Sequence, residues 1–171
     1  ARILPPFPFF ADRGEGSRLY DVDGSAYVDC TMGFGSHLLG HAHPAVTRAI
    51  QEQAARLLHT SNVYGITRQR ELADHLVALS GMDNVFFGNS GAEANECAIK
   101  IARMYGHGRN IEKPAIIVME NSFHGRTLAT LSATGSRKVQ AGFEPLVSGF
   151  VRARFGELEE LAIIARNNSS I

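Results

Sequence analysis

Aromatic and β-branched residues alternate with polar ones on both sides of Asp23-Gly24 in RLYDVDGSAYVDC (18 to 30). Glycine and aspartate tolerate the positive φ of a tight turn, so this stretch predicts a β-hairpin. After the glycine-rich bend TMGFGSHLLGHAH the period changes. Pro44 opens a helix whose apolar positions Val46, Ala49, Ile50, Ala54, Leu57 and Leu58 share one face, and which is expected to stop near His59. HTSNVYGITRQ reads as an irregular link. Helical spacing returns from Gln69 to Leu79, with Leu72, Leu76 and Leu79 aligned.

From residue 84 onward strand and helix patterns alternate. NVFFG (84 to 88) reads as a strand, SGAEANECAIKIARMYG (90 to 106) as a helix and AIIVME (115 to 120) as a strand. A short helix follows from Thr127, then a strand around SGFVRAR and a helix over ELEELAIIAR (157 to 166). Such alternation predicts an α/β fold with a parallel sheet flanked by helices. Ligands of such sheets collect where strands end and helices begin. Two loops occupy that position, GNSGAE and NSFHGRT.

In the first loop, Ser90 and Glu93 have the S-x-x-E spacing of a capping box. Gly91 and Ala92 leave the backbone nearly bare at the positive end of the helix dipole, where a phosphate could meet their N–H groups. Capping and phosphate binding are compatible, and spacing alone leaves both open. The stretch is neither a Walker lysine loop nor GxGxxG, which disfavours nucleotide binding of those types. In the second loop, Arg126 places a cation at a helix start, against the dipole, unless an anion compensates it; its planar fork suits a carboxylate. A solvated surface arginine is the alternative. Phe123 is either a plug for the core or a flat surface for a planar ring. His124 is either a ligand-facing donor or incidental. The two histidines of GHAHP (40 to 44) lack the further ligands that a metal would need, so no metal site is expected.

The 171 residues are 44% hydrophobic and carry 17 basic and 17 acidic groups, with no run of like charge. This balance offers no footprint for nucleic acid or an anionic membrane, and leaves a small molecule as the expected partner. The apolar opening ILPPFPFF is short and broken by prolines at 5, 6 and 8, so it predicts neither a membrane span nor a signal peptide, and a cytoplasmic location is expected. Cys30 and Cys97 fall outside any CxxC pattern and are expected to be reduced, with Cys97 packed in the core. The initial alanine and the closing NNSSI lead to the expectation of a fragment.

The ordered blocks GEGSRLYDVDG, GHAHPAV, HTSN, FFGNSGAEANECAIKIAR, FHGRTLATLSATG and GFEPLVSGF resemble the class III aminotransferases, which use pyridoxal 5'-phosphate. The likeness is to the acetylornithine and ornithine types. The resemblance implies a fold-type-I α/β architecture. Residues 1–64 would be the start of the small domain, with its hairpin and helix, and 65–171 the first part of the large cofactor domain. It further implies that Ser90, Gly91 and Ala92 take the cofactor phosphate, that Phe123 packs on the pyridine ring and that Arg126 clamps the substrate carboxylate. Asn62 and Tyr64 would lie near the active-site mouth. A homodimer is implied. So is transfer of the side-chain amino group of N-acetylornithine to 2-oxoglutarate, as in arginine biosynthesis. SATGSRKVQAGFEPLVSGF leans towards the acetylornithine group.

The chain also departs from that pattern. Its lysines are Lys100, Lys113 and Lys138, none in the context of the family's Schiff-base lysine, so no catalytic residue is assigned. The acidic partner of the ring nitrogen and the phosphate-binding threonine of the partner subunit are not found either. The expectation is an N-terminal part of an enzyme, inactive alone, with an unpaired sheet edge that favours instability. The alternatives are a transaminase for ornithine, succinylornithine or 4-aminobutyrate, or a non-catalytic anion-binding or dimerisation module.

Overall fold

The computed structural model describes residues 7–171, so prolines 5 and 6 lie outside the described residues. The antiparallel order β1 (Ala11–Glu15), β2 (Arg18–Asp21), β3 (Ala26–Val28) forms the first sheet. β2 and β3 are the expected hairpin. Gly24, at φ +85°, supplies the left-handed turn residue and donates its N–H to Asp21 O at 3.0 Å. The Asp21 carboxylate closes the turn from inside. It accepts from the amides of Asp23 (3.0 Å) and Ser25 (2.8 Å) and from the Tyr27 hydroxyl (2.8 Å). The Tyr27 bond, ahead of the amides, holds the Asp21 carboxyl below its usual range and pushes the Tyr27 phenol up.

β1 is absent from the sequence reading because ADRGE has no apolar alternation. It is held by backbone pairing to β2, and by the Arg13 guanidinium stacked 3.5 Å from the Tyr20 ring centre. The glycine-rich bend becomes α1 (Met32–Gly35), a single turn of left-handed backbone. Asp29 organises it by accepting from the Thr31 hydroxyl (2.7 Å) and the amides of Thr31 (2.9 Å) and Met32 (3.0 Å), while His41 Nε2 lies 2.7 Å from its other oxygen. These bonds, the Thr31 hydroxyl first, hold the Asp29 carboxyl well below the usual carboxylate range.

α2 (Pro44–Ala54) starts at the expected proline but ends before Leu57 and Leu58, short of His59. There the amides of Arg56 and Leu57 both turn back to Gln53 O, and the Gln53 side chain donates to Leu57 O at 2.8 Å, closing the helix in a tight turn. α3 (Thr67–Ser80) begins earlier than Gln69. Residues up to Arg70 and residues from Glu71 onward form two compact units, so the divide falls inside α3.

The second unit carries α4 (Gly91–Gly108), β4 (Ile116–Met119), α5 (Leu128–Ala133), α6 (Arg137–Gln140), β5 (Phe150–Ala153) and α7 (Leu158–Asn167). β4 and β5 pair in parallel, Ile116 opposite Phe150 and Met119 opposite Ala153. Val118 of β4, Ala153 of β5, Ile99 of α4 and Leu131 and Ala133 of α5 are the buried apolar side chains of this unit among the described residues. NVFFG (84 to 88) is not a strand in this structure. It has no ladder among the described residues, and a strand exists only through a partner's backbone. Cys97 is half-buried rather than a core residue; both cysteines are free thiols. Among the described residues no helix is long and apolar enough to cross a membrane.

Candidate functional site

Ser90 is the N-cap of the 18-residue α4, with extended backbone and its Oγ accepting from Glu93 N at 3.2 Å. Glu93 completes only part of the expected capping box. Its carboxylate reaches past Ser90 to take the Asn89 amide. The amides of Ser90, Gly91 and Ala92 are thereby left without a hydrogen-bond partner among the described residues. They stand at the positive end of the helix dipole, which favours an anion. A Cβ placed on Gly91 would meet nothing within 4 Å, so the Cβ side of that residue is open.

The second loop leaves β4 and enters α5, with Thr127 as N-cap. It carries Phe123, 67% exposed, and Arg126, whose guanidinium carbon lies 5.6 Å from the Phe123 ring centre. Arg126 makes no ion pair among the described residues, so its fork is available to an external carboxylate. The loop is braced from below. Thr134 Oγ1 accepts from His124 N at 3.0 Å, Gly135 N donates to Ser122 O at 2.8 Å, and the Gln140 side chain ties Leu131 O and Thr134 O at the end of α5. Arg152 of β5 donates to Ser132 O at 2.8 Å and Ala133 O at 3.3 Å.

The two loops touch. Gly125 is buried at φ +133°, and a Cβ there would stand 2.9 Å from Ala92 Cβ and 2.6 Å from Thr130 Oγ1. Asn95 Nδ2 donates to His124 O at 2.8 Å, and the Thr127 hydroxyl donates to Glu96 Oε1. Of the expected site residues, Ser90, Gly91, Ala92, Phe123 and Arg126 therefore share one end of the second unit. The His124 ring lies 3.4 Å from Ser122 Oγ, and its backbone serves the loop. Asn62 and Tyr64 belong to the first unit, in a turn closed by Tyr64 N to Ser61 O at 3.1 Å. In GHAHP, His41 is taken by Asp29, and His43 Nδ1 is buried without a partner in the described structure. No group of three metal-ligating side chains occurs among the described residues.

Asn95, Glu96, Thr127 and Thr134 were missed by the sequence reading. The available signal was on α4, where Asn95 and Glu96 place polar side chains on a turn that leads down to the buried Ile99.

The family model of aminotransferase class III matches residues 1–170. The chain belongs to the class III aminotransferases. This is a family of pyridoxal-phosphate-dependent enzymes. An acetylornithine aminotransferase from Nitrosomonas europaea is 55% identical over 93% of this chain and 40% of its own length. Among solved structures, the ornithine aminotransferase of Toxoplasma gondii superposes with a TM-score of 0.91 at 28% identity, over 96% of this chain and 40% of that one. A taurine:2-oxoglutarate aminotransferase from Bifidobacterium kashiwanohense, in complex with PLP and glutamate, gives 0.79 at 30% identity, over 88% of this chain and 33% of that one. The chain thus spans about 40% of the length of the curated relatives it matches.

Proposed function

We propose that this chain supplies the phosphate cradle and the carboxylate clamp of an aminotransferase that moves the side-chain amino group of N-acetylornithine to 2-oxoglutarate, working in the cytoplasm as a homodimer. The observation that carries the reading is the set of amides at Ser90, Gly91 and Ala92 unpaired among the described residues, on a loop packed against the one that carries the exposed Phe123 ring and Arg126. The three amides would hold the phosphate by direct hydrogen bonds, aided by the helix dipole. Phe123 would lie against the cofactor ring, its exposed face excluding water from one side. Arg126 would bind and orient the substrate carboxylate through two parallel hydrogen bonds. When bound, pyridoxal phosphate supplies the electron sink for the reaction.

The amino donor is proposed from the N. europaea relative, whose name is acetylornithine aminotransferase. The acceptor is proposed from the taurine:2-oxoglutarate enzyme and its bound glutamate. The covalent lysine of the reaction is proposed to come from residues outside these 171, because none of Lys100, Lys113 and Lys138 has the sequence context of the family's Schiff-base lysine. Residues 1–64 and 65–171 are proposed as the first parts of the small and large domains.

The complete reading frame, expressed and tested with a panel of amino donors scored by glutamate formation, tests this reading. Acetylornithine should be preferred, and preference for 4-aminobutyrate would overturn the substrate assignment. Arg126→Ala should lose charge-assisted hydrogen bonds worth about 1.5–3 kcal/mol, raising the KM for 2-oxoglutarate roughly 10- to 100-fold. Unchanged kinetics would remove Arg126 from the site.

A further inference from the structure

Ala92, Asn95 and Glu96 follow the i, i+3, i+4 spacing of one side of a helix. All three meet the loop 121 to 127. Ala92 lies against Gly125, Asn95 Nδ2 donates to His124 O at 2.8 Å, and Glu96 accepts from the Thr127 hydroxyl. The two hydrogen-bonded loop residues bracket Arg126. One turn further on, Ile99 is buried in the core, so this side of α4 is anchored.

Thr127 adds a second observation. It occupies the N-cap position of α5, where a threonine hydroxyl ordinarily accepts an amide of the first turn, yet its side chain makes no capping bond. The hydroxyl instead donates to Glu96 and lies 2.7 Å from Thr130 Oγ1. The locally preferred bond is forgone for one between elements. The other ties of the loop, through Thr134 and Gly135, hold it to the end of α5 and make no bond to α4.

We propose that Asn95 and Glu96 are positioning residues that grip His124 and Thr127 and so set where Arg126 presents its guanidinium relative to the amides of Gly91 and Ala92. Arg126 has no ion-pair partner among the described residues, and its guanidinium lies 5.6 Å from the ring of Phe123 in the same loop, so the path of the loop backbone carries both. A carboxylate clamp is sensitive to shifts of about 1 Å, which can cost up to about a hundredfold. The inference rests on the reading of Arg126 as the carboxylate-binding group.

The experiment uses the enzyme from the complete reading frame, with Thr127→Val, Thr127→Ser, Asn95→Ala and Arg126→Ala measured side by side. Thr127→Val and Asn95→Ala should each raise the KM for 2-oxoglutarate roughly tenfold with kcat little changed. Thr127→Ser, which keeps the hydroxyl, should restore the parent KM. The affinity of the cofactor-free protein for pyridoxal phosphate, followed by fluorescence, should stay at the parent value in all three. An unchanged KM in Thr127→Val and Asn95→Ala, beside a raised one in Arg126→Ala, overturns the positioning role and leaves the clamp standing. A parallel loss of cofactor affinity overturns it too, since the loop would then support the fold rather than place Arg126. An unchanged KM in Arg126→Ala overturns the clamp itself. Should Thr127→Val fail to fold, Asn95→Ala together with Glu96→Gln decides by the same readings.

Discussion

At the scale of the residue, Gly125 is where the two loops come closest. Its φ of +133° is open to glycine and strained for other residues, and an added methyl would collide with Ala92 Cβ at 2.9 Å and Thr130 Oγ1 at 2.6 Å. Gly125→Ala in the full-length protein should therefore cost about 1–3 kcal/mol, read as a lower thermal midpoint. It should also weaken cofactor binding, because relief of the clash displaces Ala92. A midpoint and an affinity equal to the parent's would show that the loops do not pack this closely. Arg126 and Phe123 could be picked out from the sequence because a cation and an aromatic ring in a polar strand-to-helix loop are chemically out of place there. Glu96 could not, since a glutamate on a helix is ordinarily a solvated side chain.

At the scale of the element, α4 combines a local and a tertiary role in one turn. Ser90 Oγ caps the Glu93 amide, a bond written in the S-x-x-E spacing. Ser90→Ala should lower the unfolding free energy of the full-length protein by about 1 kcal/mol, measured by denaturant titration. No loss would mean that the hydroxyl does not cap. Glu93 goes to Asn89 instead of Ser90, which leaves the Ser90 amide unpaired among the described residues. The elements that departed from expectation did so for identifiable reasons. β1 has no apolar period and exists through its pairing with β2, while NVFFG has the composition of a strand and no partner among the described residues. α2 stops at Ala54 because the Gln53 carbonyl and side chain close its end, an event that the apolar stripe to Leu58 does not register.

At the scale of the whole molecule, Asp29 contributes to the acid response of the first unit, beside Asp21. The Thr31 hydroxyl, His41 and two backbone amides favour its charged form, so its folded pKa is depressed. The stabilisation is then fully present above the unfolded carboxylate pKa of about 3.9 and is lost as pH falls below that value towards the folded pKa. Parent and Asp29→Asn full-length proteins should accordingly differ in stability at neutral pH and converge in acid, as followed by denaturation across the pH range. A difference that grows on acidification would contradict this reading. The second unit exposes Phe155, Leu158 and Ile163 beside β5 and along α7, and the parallel sheet has two strands among the described residues. By itself, the sequence determined the hairpin, the capped start of α4, the parallel pairing and the family, because turn chemistry, caps, periodicity and ordered blocks are all local in the chain. Only the tertiary structure decided that Ala92, Asn95 and Glu96 meet Gly125, His124 and Thr127. Those contacts join residues about thirty positions apart, and where a helix face and a loop arrive together is set by packing on the shared core, which leaves no period in the sequence.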